Sequence, residues 1–389
     1  MISISRLLCH TRGPGDSLRY DQPFADFSGA STVAPVVVWN CTGRCNLRCA
    51  HCYASASDNQ SAAEMDTASA RAFIHDLAAF GVPVVLFSGG EPLLRDDLLD
   101  LATFAVERGL RVVLSSNGTL ITDDTARELG RIGFAEVGIS LDGMEAVNDR
   151  FRGRQGAYRA ALEGIRNCVK HGLRVSLRFT ITRLNFREVP SIFSLAEREG
   201  VERLCFYHLA YSGRGSTLVQ EDIGHIQTRQ TVDTICELTQ DLHRRGLPKE
   251  VLTVANHADG VYLYLRTKET NPERAEYIYA LLKRNGGNSS GVRIGAVDPV
   301  GNVHPDQFWW QYSAGNVMER RFGDIWVDTS DALMSGLKDR KGLLKGRCGR
   351  CQYLDICNGN LRQRAEAVYG DAWAEDPACY LTDEELGIK

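Results

Sequence analysis

Between about residue 34 and residue 211, short β-branched runs alternate with stretches of helical periodicity. The runs Val36–Trp39, Val84–Ser88, Arg111–Ser116, Ala135–Ser140, Arg174–Ile181 and Arg203–Leu209 predict strands. The segments between them, such as DTASARAFIHDLAAFG, DDLLDLATFAVERG and DTARELGRIG, start near an acidic cap and stop at glycine, as helices do. Six βα units in succession imply a parallel sheet with right-handed crossovers, either doubly wound or curled into a barrel. No GxGxxG follows the first run, so a dinucleotide fold gains little support.

The pattern changes after Tyr211. SGRGS reads as a loop, and residues 219–285 read mainly as helices around a strand at VLTV. GVRIGAVDPVGNVHPDQFWW reads as a β-hairpin turning at PVG. These changes divide the chain into an N-terminal extension (1–33), an α/β unit (34–211), a helical bridging region (212–285) and a small cysteine-rich C-terminal domain (286–389).

Charge and composition narrow the function. A net charge of -4 over 389 residues advertises neither nucleic acid nor an anionic membrane as partner. No segment reaches the roughly 18 apolar residues of a spanning helix, and the first residues lack a secretory apolar run. The expected location is the cytoplasm, where thiols stay reduced. Clustered cysteines there are metal ligands or catalytic groups more often than disulfides, and this chain has 12 cysteines.

Four of them fall in CTGRCNLRCAHCY, residues 41–53. Cys45, Cys49 and Cys52 have the spacing C-x3-C-x2-C after the first strand, which suits zinc poorly. Three thiolates leave one iron of a [4Fe–4S] cluster free to bind a substrate, whereas four leave only electron transfer. The segment, with His51 at the aromatic position, resembles the signature of the radical S-adenosylmethionine (SAM) enzymes. So do Ser88-Gly89-Gly90-Glu91-Pro92, Ser116-Asn117-Gly118-Thr119 and Val137–Gly143, each at the C-terminal end of a predicted strand, where α/β barrels build their sites.

The resemblance implies a partial (β/α)6 TIM-type barrel in which Cys45, Cys49 and Cys52 hold the catalytic cluster. It further implies SAM bound near His51, Gly89, Gly90, Glu91, Asn117, Ser140, Asp142 and Arg178, with Arg152 as a second candidate for its carboxylate. Glu91 and neighbouring carbonyls are expected to accept from the SAM ammonium, and Asp142 to lie near the ribose. A side chain at Gly90 is expected to block SAM and leave the iron in place. Cys41 is read as strand-end packing. Electrons are expected from an external donor such as flavodoxin or ferredoxin.

Cys348, Cys351, Cys357 and Cys379 form a second group that suits zinc or iron–sulfur equally by spacing. Behind a radical SAM barrel the group resembles SPASM and twitch domains, which implies one auxiliary [4Fe–4S] cluster in an α+β module. Leu361 and Asp306 stand where the fuller SPASM pattern has cysteines.

The tail from Cys348, together with VDPVGNVHPDQFWW, resembles the radical SAM proteins of haem d1 biosynthesis. That resemblance implies removal of propionate chains from 12,18-didecarboxysirohaem. Phe308–Tyr312 and Phe206–Tyr211 offer aromatic walls for a tetrapyrrole, and His208 or His304 a contact to its iron or a carboxylate. The alternatives are an alternative-haem-pathway decarboxylase, a SPASM-type peptide-modifying enzyme and, from another class, a two-cluster electron carrier.

Overall fold

The computed structural model describes residues 1–21, 33–59 and 63–388; residues 22–32 of the expected N-terminal extension lie outside them. The strands are β1 (Ile2–Ser3), β2 (Val36–Asn40), β3 (Val84–Ser88), β4 (Arg111–Ser116), β5 (Glu136–Ser140), β6 (Val175–Ile181), β7 (Arg203–His208), β8 (Glu250–Val254), β9 (Ile294–Val297) and β10 (Val303–His304). They form one sheet in the order β1-β8-β7-β6-β5-β4-β3-β2-β9-β10. From β2 to β8 the order in space is the order in sequence, and every neighbouring pair is parallel. A doubly wound sheet reverses direction at a switch point. This one never does, so it is wound one way, as in a barrel.

The six expected strands are all present. Two segments placed outside the barrel by sequence also join its sheet. VLTV becomes β8, which pairs parallel with β7 through Arg203↔Glu250 and Tyr207↔Val254. The first strand of the hairpin, β9, pairs parallel with β2, and β10 returns antiparallel to it. The bridging region and the C-terminal domain therefore extend the barrel at both edges.

Helices cover the sheet as their caps predict. Asp66 accepts from the Ser69 N–H at 2.8 Å to start the helix Thr67–Phe80, which stops at Gly81. The helix Phe322–Val327 lays Phe322 against Phe73 and Phe80 of that helix, with Trp326 stacked on Phe322 at 5.6 Å. Each such buried ring contributes about 1.5–3 kcal/mol.

At the N-terminal ends of the strands a charge network forms the barrel floor. Arg203 bridges Glu136 (2.5 Å) and Glu250 (2.7 Å), Arg174 reaches Glu250 at 2.9 Å, and Arg19 closes on the same carboxylate. The opposite end stays open.

Candidate active site

A cavity of about 1120 Å³, open to solvent, occupies the C-terminal ends of β2 to β7. Cys45, Cys49 and Cys52 form one wall of it. The loop that carries them is strapped in place by backbone. Gly90 N–H donates to the Thr42 carbonyl and Glu91 N–H to that of Arg44, both at 2.7 Å; on the other flank Arg48 and Ala50 N–H donate to the carbonyls of Arg152 and Phe151. Leu47 N–H lies 3.4 Å from Cys45 Sγ, and the Arg152 guanidinium 3.7 Å from Cys49 Sγ. Three thiols on one wall, two of them with N–H donors, are the donor set that fits a cluster with one open iron. Cys41 is apart from them: it is buried in the core, its thiol on the Ser88 carbonyl at 3.3 Å.

Gly89, Gly90, Asn117, Ser140, His51 and Arg178 also line the cavity. Arg178, on β6, crosses β5 at Gly138, where any side chain would collide with its guanidinium, and reaches the Ser115 hydroxyl on β4. No carboxylate lies within ion-pair distance of it among the described residues. A cation with only a hydroxyl partner suits an anionic ligand.

Two expected SAM contacts face elsewhere. Glu91 is fully buried and absent from the cavity wall. Its carboxylate accepts from the Ser116 hydroxyl (2.8 Å), Asn117 N–H (2.7 Å) and Leu93 N–H (3.2 Å), so it ties the β3 loop to the β4 loop. Burial pushes its pKa up to about 7 against these hydrogen bonds. Asp142 is also fully buried, behind the cysteine loop. It pairs with Arg152 at 2.5 Å, faces His51 Nε2 at 3.4 Å and accepts from Thr180 N–H at 2.7 Å. Both carboxylates are structural braces one step removed from the cavity. Burial pushes the His51 imidazole down to about 4 despite Asp142, so it is neutral at pH 7, its ring 4.6 Å from Phe151.

The Gly90 expectation also changes. A Cβ there would collide with the Arg44 carbonyl of the cysteine loop rather than project into the cavity. A side chain there presses on the loop that carries the thiols.

Of the expected aromatic walls, Tyr207 and Phe308 reach the cavity. Trp309 is buried, with no place in the cavity wall. The His208 imidazole is held by Asp259 at 2.9 Å, and His304 Nδ1 donates to the Trp309 carbonyl at 3.0 Å. His208 nevertheless lines the cavity, as expected, whereas His304 has no place in its wall. Residues missed by sequence also line the site. Arg214, from the SGRGS loop, donates to the carbonyls of Cys49 and Ala56, each at 2.8 Å. Gln307 lines the cavity, and Tyr53 joins Asn40 and Ser88 through its hydroxyl. The signal for Arg214 was its place: an arginine between glycines just past a barrel strand's C-terminal end.

The second cysteine group lines a separate, smaller cavity of about 430 Å³. Backbone N–H groups of Asp376, Tyr353 and Leu381 reach the sulfurs of Cys348, Cys351 and Cys379.

A model of the radical SAM superfamily matches residues 39–196. Fe-coproporphyrin III synthase of Methanosarcina barkeri is 54% identical, covering 100% of this chain and 99% of its own. Pre-heme d1 synthase of Dinoroseobacter shibae is 43% identical, covering 92% and 88%. Among solved structures, Streptococcus suis SuiB bound to S-adenosylmethionine matches with a TM-score of 0.70 at 17% identity, covering 90% of this chain and 78% of that one. The chain belongs to the radical SAM superfamily. It is an enzyme of that α/β fold, its structural neighbours are of the SPASM type, and it belongs with enzymes of haem-related biosynthesis. No helix of the described residues is long and apolar enough to cross a membrane.

Proposed function

We propose that the enzyme removes acetate side chains from 12,18-didecarboxysirohaem to give Fe-coproporphyrin III. The observation that carries this reading is the 54% identity to Fe-coproporphyrin III synthase across the whole chain. That span includes the strands and the loop that bring Arg178, Tyr207 and Phe308 to the wall beside the thiols. When SAM and a reduced [4Fe–4S] cluster are bound at Cys45, Cys49 and Cys52, they supply a 5'-deoxyadenosyl radical that takes hydrogen from the substrate. The chain's own residues supply the rest. Arg178 holds a carboxylate, Gly89 and Gly90 let the β3 loop close on the cysteine loop, and Tyr207 and Phe308 offer faces for a flat macrocycle.

The four C-terminal cysteines hold one auxiliary [4Fe–4S] cluster in this reading. Its support is the shared cavity and the N–H donors on three of the sulfurs. Electrons reach the barrel site from an external acidic carrier of the flavodoxin or ferredoxin kind. Arg48, Arg150 and Arg154 are exposed behind the cysteine loop and have no carboxylate within ion-pair distance among the described residues, which supports entry at that face.

A second reading, loss of propionates towards haem d1, is favoured by the 43% identity to pre-heme d1 synthase. Fe-coproporphyrin III keeps its four propionates, so the product separates the two. Anaerobic turnover with SAM, a strong reductant and didecarboxysirohaem, followed by mass analysis, is expected to show loss of acetates. Loss of propionates establishes the second reading, and modification of a peptide with didecarboxysirohaem inert overturns both.

A further inference from the structure

Arg362 has no exposed surface, yet no carboxylate lies within ion-pair distance of it among the described residues. Its Nη1 donates to the carbonyls of Ala372 (3.2 Å) and Ala374, and its Nη2 to that of Gly359. The remaining contact is the telling one: Nη2 lies 3.8 Å from Cys348 Sγ. Asp376, whose N–H also reaches that sulfur, has its carboxylate on Arg364 at 2.8 Å. A second buried guanidinium, Arg340, bonds only the side-chain oxygen of Asn288 and the carbonyls of Ser290 and Leu337. Burial, and then repulsion from Arg362, push its pKa down to about 9.

A buried guanidinium surrounded only by neutral carbonyls is costly unless an anion stands beside it. The anion available to Arg362 is the thiolate group of Cys348, Cys351, Cys357 and Cys379. We propose that Arg362 is the built-in counter-charge of this site and a positioning residue that raises the reduction potential of the cluster held there. The inference rests on the reading that these four cysteines bind a [4Fe–4S] cluster. Reduction adds one electron to that cluster. A fixed cation and an N–H on a ligand sulfur favour the more negative state, so the reduced form gains more than the oxidised form. Such a site is tuned to accept an electron from a substrate radical rather than to deliver one to SAM.

The test uses the anaerobically reconstituted full chain and its Arg362→Lys and Arg362→Gln variants. Iron content is measured, and midpoint potentials are read by redox titration followed by electron paramagnetic resonance. Added SAM perturbs only the barrel signal and so tells the two clusters apart. The expected result is a more negative auxiliary potential in Arg362→Gln and a smaller shift in Arg362→Lys, with full iron in the lysine variant and the barrel potential unchanged. An unchanged auxiliary potential in an iron-replete Gln variant makes Arg362 a packing bolt and overturns the proposal. So does loss of auxiliary iron from the charge-preserving lysine variant. Zinc at these cysteines in the unaltered protein overturns the cluster reading itself, and metal analysis shows that outcome separately.

Discussion

Glu91 Oε2 accepts the backbone N–H of Asn117 at 2.7 Å, so the carboxylate of the GGEP loop holds the next loop instead of facing the cavity. Glu91→Ala leaves that N–H and the Ser116 hydroxyl without their acceptor, at about 1–3 kcal/mol each. A lowered melting temperature and weakened SAM binding are expected together, with Glu91→Gln recovering much of both. The pH dependence has a definite sign. A carboxyl raised from 4.5 to about 7 binds its proton more tightly when folded, so its contribution to stability is complete below about pH 4.5 and is lost as pH rises through 7. In thermal melts from pH 5 to 8, the unaltered protein is expected to lose stability relative to Glu91→Gln as pH rises; a constant difference would refute the raised pKa.

Gly90→Val is expected to cost iron as well as SAM cleavage. The new side chain meets the carbonyl of Arg44, the residue just before Cys45, and pushes the cysteine loop from its seat. Iron analysis after reconstitution is expected to fall by about half, from roughly eight to four per chain. Full iron with abolished SAM binding would restore the simpler picture of a side chain filling the pocket.

What sequence could and could not reveal follows from the range of each interaction. β2 to β7 were legible because each is a compact β-branched run whose turn chemistry lies beside it. The pairing of β9 with Val36–Trp39 was not, since the partners are more than 250 positions apart and a lone hairpin carries no record of its outer neighbour. The cavity residues Cys45, Cys49, Cys52, Gly89, Asn117, Ser140 and Arg178 were legible because motif order places them at strand ends. Glu91 and Asp142 were placed correctly along the chain and wrongly in direction. A motif identifies the loop, but which way a carboxylate turns depends on N–H donors supplied by other loops.

Arg178 bonds a neutral hydroxyl and faces the cavity beside the thiols. Arg178→Gln removes a charge-assisted partner without opening the core, so iron content and fold are expected to persist. A hydrogen bond to a charged group contributes about 1.5–3 kcal/mol, so SAM affinity is expected to fall roughly ten- to hundredfold. Equilibrium binding to the reconstituted protein measures this. Unchanged SAM affinity with a raised KM for the tetrapyrrole would move Arg178 to the substrate side.

The barrel floor predicts acid lability. Burial alone pushes the Glu250 carboxyl up, but Arg19, Arg203 and Arg174 outweigh it and hold the pKa below 4.5. The stability it confers is present above pH 4.5 and is lost as pH falls through the lowered value. Glu250→Ala removes the carboxylate that Arg19, Arg174 and Arg203 share, though each keeps another acidic partner, and is expected to cost about 1–3 kcal/mol, whereas Glu250→Gln flattens the acid limb of the stability profile. Denaturant melts between pH 3 and 7 distinguish the two.

The exposed arginines behind the cysteine loop give the last prediction. Arg48 N–H donates to the Arg152 carbonyl, and Arg154 reaches the Asn46 carbonyl at 3.4 Å, so both stand on the outer side of the segment whose inner side carries Cys45 and Cys49. An acidic carrier drawn to this face associates faster at low salt, because surface charges are screened beyond about 10 Å at 0.1 M. Arg48→Glu with Arg154→Glu is expected to slow carrier-driven deoxyadenosine formation severalfold and to remove most of its salt dependence. Dithionite, a small reductant that needs no docking face, is expected to drive the variant as well as the unaltered protein. If both reductants slow equally, the substitutions have damaged the cysteine loop; if neither slows, the carrier enters elsewhere.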